Sequence, residues 1–272
     1  MLLSQFKFPT QRPVVMGILN VTPDSFADGG RFESFDSALS RGLTMLEEGV
    51  DIIDVGGEST RPGAHRVSSD EELHRVLPVI EALAAKGAVI SIDTKWAITA
   101  REAIAAGAHI VNDVSAGLSD PEMLATVASL GCPYIAMHTR GDSAEMQSRA
   151  TYEDVVKEVA DELRGRVDAS LAAGISPANL ILDPGIGFAK EAEHNWEILK
   201  HLDVFKTIGF PVLIGASRKR FLGKLVGADS TDARESATIA LTALLANEGI
   251  WGVRVHSVKP HRDAIEVARS MR

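Results

Sequence analysis

A chain of 272 residues, 45% hydrophobic and 24% charged, has the composition of a globular protein and the length of one barrel-sized domain. Its formal net charge of -9 argues against nucleic-acid or polybasic membrane partners, so any anionic ligand needs a local cluster of cations. The lone Cys132 excludes an internal disulfide or a Cys-rich zinc site, and with no signal-like core in residues 1–13 and no run near ~18 apolar residues, a cytoplasmic protein is expected.

Eight short apolar runs alternate with helical patterns, and each run ends on a polar or glycine-rich tip. VVMGIL leads into Asn20, and the helix that follows, Ser34 to Glu48, sets Ala38, Leu39, Leu43 and Leu46 on one face. DIIDV leads into Gly56, Gly57 and Glu58, before a helix from Ser69 to Lys86 that opens on a Ser69-x-x-Glu72 capping box. AVISI ends at Asp93 before the helix Ala97 to Ala106, and HIV ends at Asn112 before Pro121 to Leu130. YIAM reaches His138, an irregular polar stretch from Thr139 to Ala150, and a helix from Tyr152 to Ala173. LIL ends at Asp183 before Asn195 to Leu202, VLIGA at Ser217 before Asp232 to Asn247, and GVRV at His256 before Arg262 to Met271. Gly49, Gly87, Gly107, Gly131, Gly174 and Gly249 stand where helices need a left-handed last residue.

Strands alternating with helices through right-handed crossovers build a parallel sheet. An open doubly wound sheet would place its ligand at one switch point, whereas eight polar tips in succession predict a closed ring. The expected fold is therefore a single (β/α)8 TIM barrel over residues 14–272, after an N-terminal extension over 1–13, with its active site at the C-terminal ends of the strands.

The tips carry the chemistry. Residues 16–30 hold Asn20, Thr22, Asp24, Ser25 and Asp28 between turn-forming Pro23, Gly29 and Gly30, as a ligand loop or as a set of Asx and Ser/Thr turns. In residues 56–63, glycines permit close backbone approach, Arg61 can bind phosphate or carboxylate, and Glu58 is either a base or a turn-stabilising carboxylate. Asp93, Asn112 and Asp183 end three different runs, so a barrel aims them at one cavity; each alone could be a helix cap, but together they suit the amino-imino edge of a flat heterocycle. DPGIGFAK lacks a Walker ending, and the Ser217 segment lacks the second glycine of a nucleophile elbow. Ser217, Arg218, Lys219 and Arg220 at a helix start suit an anion, with Arg220 itself solvated or in a salt bridge and not catalytic. Arg254 and His256, two apart on a strand, share a face. His65, His74, His109, His194, His201 and His261 show no metal-like pairing and are expected at the surface.

With NVTPDSFADGG, DIIDVGGESTRPGA, LDPGIGFAK and GASRKRFLG in that order, the chain resembles the dihydropteroate synthases of the pterin-binding barrel family, from Met16 to the last helix. The resemblance implies condensation of 6-hydroxymethyl-7,8-dihydropterin diphosphate with p-aminobenzoate, giving 7,8-dihydropteroate and diphosphate, in folate biosynthesis. It implies a pterin pocket of Asp93, Asn112, Asp183 and Lys219, with Met137 and Phe188 beside the ring and Thr60 touching it. Asn20 would hold Mg2+ with the diphosphate, which Arg254 and His256 would grip. Phe26, Arg61, Pro62 and Ser217 would shape the p-aminobenzoate site that sulfonamides mimic, and Asp28 would stabilise positive charge on the pterin methylene. Catalysis would thus fall to Asp28, Lys219, Arg254 and His256, in a homodimer acting on small molecules. Two positions depart from the pattern: Ser257 replaces a common Asp after VRVH, leaving the orientation of His256 open, and Thr139 replaces a Met after Met-His. Alternative readings are a catalytically inactive pterin-binding paralogue, a methyltetrahydrofolate-dependent methyltransferase, and a Schiff-base lyase acting through Lys219.

Overall fold

The protein is described here as a computed structural model covering residues 2–22, 31–59, 66–142 and 145–271, with backbone alone at 31–34. Its strands are β1 (Val14–Asn20), β2 (Ile52–Gly56), β3 (Ile90–Asp93), β4 (Ile110–Asp113), β5 (Tyr134–Met137), β6 (Leu180–Asp183), β7 (Leu213–Ile214) and β8 (Gly252–Val255). All seven ladders between them are parallel, in the order β6-β5-β4-β3-β2-β1-β8-β7. A parallel bridge between Leu182 and Val212, with Leu182 N donating to Pro211 O at 2.9 Å, joins β6 to β7 and closes the ring. The eight-stranded barrel expected from the tips is thus the fold.

Around it lie α1 (Arg31–Glu47), α2 (Ser69–Ala84), α3 (Ala97–Ala105), α4 (Met123–Leu130), α5 (Val155–Ala172), α6 (Ala192–Lys200), α7 (Leu202–Lys206), α8 (Arg220–Val226), α9 (Glu235–Leu245) and α10 (Val258–Ser270). The outward strand residues, among them Val15, Ile53, Ile92, Val111, Leu182 and Val253, pack with the apolar faces of these helices in one continuous core. No described helix is long and apolar enough to cross a membrane.

The period of two along each strand decides what fills the barrel. Val14, Met16, Ile52, Ile110, Ile135, Ile181 and Leu213 form a separate buried cluster, joined from below by Leu3, Phe8, Val89 and Trp251. Phe8 meets Trp251 edge-on at 5.8 Å between ring centres, and Phe6 stacks on Phe8 at 5.3 Å. Arg12 adds a two-pronged ion pair to Asp51 at 2.6 and 2.8 Å. These contacts seal the N-terminal end. Two residues beyond the cluster, on the same inward faces, come Asp54, Asn112 and Asp183, so apolar floor changes to polar site within one step of the pleat.

Several local expectations need correction. The cap of α2 is Ser68, whose side chain accepts from Glu71 N at 3.3 Å; Ser69 is already helical, and Glu72 is buried against Thr94 instead of reaching back. The helix expected over 195–202 is two, α6 and α7, which meet at His201 with non-helical φ −121° and ψ 40°. The last helix starts at Val258, not Arg262, because Pro260 sits in the first turn, where no intrahelical donor is needed. The irregular stretch after β5 contains a short 3-10 turn, Met146–Arg149, with Met146 buried. His261 is buried, not superficial: its Nδ1 lies 2.8 Å from Thr242 Oγ1 and its Nε2 3.2 Å from Glu235 Oε1. Cys132 is buried as expected, and burial pushes its thiol up to about 11.

Candidate active site

A cavity of about 640 Å³ opens at the C-terminal end of the barrel. Asn20 from β1, Lys190 and Phe188 from the β6–α6 loop, Ser217 and Lys219 from the β7–α8 loop, and Arg254 and His256 from the end of β8 all line it. Cations dominate the walls, which supplies the local cluster that a chain of net charge -9 needs for an anionic ligand.

Beside this cavity stand the acids and the amide. Asp93, Asn112 and Asp183 retain only 4% to 6% of their exposure and are gathered around Arg254. Arg254 Nη2 donates to Asp93 Oδ2 and its Nε to Asp54 Oδ2, both at 2.6 Å, while Asn112 Nδ2 donates to the same Asp54 oxygen at 3.1 Å. Asp183 Oδ1 accepts from Gly185 N at 2.7 Å. Burial pushes the Asp93 and Asp183 carboxyls up; Arg254 opposes this at Asp93, and Lys219 and the Gly185 amide oppose it at Asp183. Burial works against the Arg254 cation too, yet Asp54 and Asp93 together hold it above its usual value. None of the three polar tips serves as a helix cap: the N-cap of α3, for example, is Trp96.

Asp54 went unassigned in the sequence. It is fully buried and links the Arg254 guanidinium to the Asn112 amide. Its signal was the second aspartate of DIIDV, at an inward position of β2. The site also gains Met146, which packs with Val114, Met137, Phe188 and Ala189 in a small apolar cluster. That cluster brings Met137 and Phe188 together. Lys219 Nζ sits 4.4 Å from the centre of the Phe188 ring and donates to Ile186 O. Burial lowers Lys219 to about 7; Asp183 resists the shift and Arg254 adds to it. Gly187, at φ +80°, makes room for this lysine: a Cβ there would stand 2.7 Å from Lys219 Cδ.

On the other wall, Ser217 Oγ lies 2.9 Å from His256 Nδ1 and accepts from His256 N at 3.2 Å. Arg218 has left-handed backbone, φ 57°, and its guanidinium turns away to Glu235, Asp232 and Ser257 Oγ at 2.6, 2.8 and 2.9 Å. These ties hold the guanidinium against α9 and the start of α10 while Arg218 lines the cavity. Glu58 resolves toward the structural alternative: it forms a buried ion pair with Lys95 at 2.6 Å and accepts from Val67 N at 2.9 Å. Asn20 stands partly exposed on the cavity wall, and no group of three or more His, Cys, Asp or Glu suited to a metal occurs among the described residues. A single amide side chain on a cation-lined cavity suits a hard ion that takes its remaining ligands from phosphate oxygens and water, as Mg2+ does. Phe26, Asp28, Thr60, Arg61 and Pro62 lie outside the described residues.

The model of the pterin binding enzyme family matches residues 16–256. A dihydropteroate synthase of Mycobacterium leprae is 51% identical over 259 residues, covering 93% of this chain and 91% of that protein. Among solved structures, the Xanthomonas albilineans dihydropteroate synthase with 4-aminobenzoic acid superposes with a TM-score of 0.90 at 44% identity, covering 96% of this chain and 93% of that one. The same organism's enzyme in complex with 7,8-dihydropteroate gives 0.88 at 41% identity, over 97% and 95% of the two chains. On the family match and on identity over nearly its whole length, this chain belongs to the pterin-binding enzymes, in the dihydropteroate synthase family.

Proposed function

We propose that the chain joins 6-hydroxymethyl-7,8-dihydropterin diphosphate to p-aminobenzoate, forming 7,8-dihydropteroate and diphosphate. The observation that carries this reading is the meeting, at Arg254, of a buried acid-amide set with a cation-walled cavity. A heterocycle with an amino-imino edge and an anionic tail is complementary to both halves at once.

In this reading, Asp93, Asn112 and Asp183 take the donor edge of the pterin, Lys219 approaches its acceptors, and Met137 and Phe188 flank the ring. Arg254 and His256 receive the diphosphate, which competes with Asp54 and Asp93 for the guanidinium. Phe26, Thr60, Arg61, Pro62 and Ser217 complete the pterin and p-aminobenzoate contacts by resemblance. The aromatic amine is neutral near pH 7, so its lone pair needs no strong base. It forms the new C–N bond to the pterin methylene as the C–O bond breaks, the bonding pair leaves on diphosphate, and one amine proton is released. Asp28 stabilises positive charge on the methylene, while Arg254 and His256 stabilise negative charge on the leaving group; one such contact is worth about 3 kcal/mol, or roughly a hundredfold in rate. Mg2+ held through Asn20 would supply further neutralisation of the diphosphate.

The test is diphosphate release from the pterin diphosphate, dependent on both p-aminobenzoate and Mg2+. Release without the amine would indicate hydrolysis, and pterin binding without release would indicate an inactive paralogue. Asn20→Ala should raise the Mg2+ concentration required. We further propose a homodimer: Leu225 and Val226 on α8, Leu244 on α9 and Val267 on α10 are at least half exposed on neighbouring helices, a face that a second copy would cover. Sedimentation at micromolar concentration should give twice the mass of the chain. The unpaired Cys132 suits a reducing compartment, consistent with the cytoplasm.

A further inference from the structure

Lys190 closes the DPGIGFAK segment, lines the cavity, and has no part in the reaction described above. It is almost fully buried. Its Nζ lies 3.1 Å from Gly185 O, 3.0 Å from Phe188 O and 2.9 Å from His138 Nδ1. His138 Nε2 in turn lies 2.9 Å from Glu162 Oε2 on α5, and Arg140 pairs with the same carboxylate. The Arg140 guanidinium covers the Tyr152 ring at 4.0 Å, and Tyr152 OH donates to Ala189 O at 2.9 Å. A path that leaves the loop at Lys190 therefore returns to it at Ala189.

Donor accounting fixes the protons. Hydrogen bonds from His138 and Arg140 hold the Glu162 carboxyl down at about 2 against the opposing effect of burial, so it is an acceptor, and His138 Nε2 must donate to it. Burial and Lys190 lower His138 to about 4, so the ring is neutral and its Nδ1 accepts. Lys190 must then give all three of its protons, to two carbonyls and one ring nitrogen. Burial and Lys219 pull its pKa down, while the three acceptors around Nζ favour the ammonium form that can serve them all.

What this cation organises is a loop with little intrinsic preference for its shape. Gly185, Gly187 and Ala189 all have positive φ, at 70°, 80° and 49°, and a Cβ on Gly185 would fall 1.9 Å from His138 O. The remaining groups are committed as well: Ile186 O to Lys219, and Gly187 N to Asn195 Oδ1 at 2.6 Å. We propose that Lys190, braced by His138 and Glu162, is a positioning residue for the pterin wall: it wraps residues 185–189 about its ammonium and so fixes Phe188 and Lys219. This rests on the reading that Phe188 and Lys219 flank the pterin.

The test is Lys190→Met, with Michaelis constants for both substrates and direct binding of the pterin diphosphate by calorimetry. Lost alignment should raise the dissociation constant and KM for the pterin diphosphate about tenfold, the order of one buried charged hydrogen bond. The KM for p-aminobenzoate and kcat should stay within about twofold, a split that general loosening does not produce. His138→Asn retains an acceptor near the Nδ1 position while losing the Glu162 bond, so its effect should be smaller than that of His138→Ala. Unchanged pterin affinity in Lys190→Met overturns the proposal, as does a fall in kcat alone or an equal loss for both substrates. If Lys190→Met does not fold, Glu162→Gln on the half-exposed face of α5 carries the same test, with pterin KM expected to rise about threefold and an unchanged value counting against the proposal. Wild-type protein that fails to bind the pterin would instead remove the site reading itself.

Discussion

Glu72 offers a measurement in which the sign follows from the structure. It is buried on α2, accepts from Thr94 Oγ1 at 2.5 Å, and is pushed from 4.5 to about 7, chiefly by desolvation. The Thr94 and Thr99 hydroxyls oppose this shift by favouring the carboxylate, but burial outweighs them. In the unfolded chain Glu72 loses its proton near pH 4.5; in the folded protein it keeps the proton to about pH 7. Between those values the folded state binds more protons, so stability falls as pH rises through the window and levels off above it. At about 1.4 kcal/mol per pH unit, the loss is about 3 kcal/mol. Glu72→Gln keeps the shape of the protonated side chain and removes its titration. Chemical denaturation of both proteins from pH 4.5 to 8 should show wild type losing about 3 kcal/mol relative to the variant. Groups that do not feel Glu72 cancel in the difference, whereas Asp93, raised in part by the Glu72 charge, contributes a smaller residual change. Parallel curves across the window would refute a protonated, buried Glu72.

Three further outcomes are expected. Arg254→Met leaves Asp54 and Asp93 as buried acids without their shared cation, so stability should fall by about 3 to 5 kcal/mol at pH 8 and by less at pH 5, where Asp93 takes up a proton; denaturation at the two pH values measures this. Gly187→Ala must accept φ +80° and displace Lys219, so it should cost about 1 to 3 kcal/mol and weaken pterin binding, both readable from one ligand-shift melting series. Cys132, buried with its thiol raised to about 11, should not react with a chromogenic disulfide at pH 8 until the protein is unfolded by denaturant; reaction at the rate of a free thiol would contradict its burial.

The fold was legible because its signals are local and repeated: eight apolar runs of strand length, each followed by helical periodicity and six of the helices by a glycine stop. Where the reading slipped, a local rule met a competing one. Ser68 and Ser69 both offer a capping oxygen, and the buried bond from Thr94 to Glu72 decides against the later start. Pro260 reads as a breaker, yet three positions into α10 it interrupts no hydrogen bond. Asp93, Asn112 and Asp183 stood out as polar residues at the ends of apolar runs. Asp54 did not, although the step of two that joins Arg254 to His256 also places Asp54 on the same inward face as Gly56. The ties from Lys190 to His138 and from His138 to Glu162 span 52 and 24 residues, and no periodicity encodes them.

The departure at Ser257 shows how sequence and structure divide the work at one residue. Replacing a carboxylate next to His256 raised the question of what orients the imidazole. In the structure, Ser257 instead faces Arg218, and Arg218 is already held by Glu235 and Asp232. His256 takes its orientation from the neighbouring strand: Ser217 engages both its Nδ1 and its backbone N, tying the end of β8 to the loop after β7. A residue at 257 able to hold Arg218 suffices, and the catalytic wall depends on Ser217, 39 residues away, more than on the neighbour that departs from the family pattern.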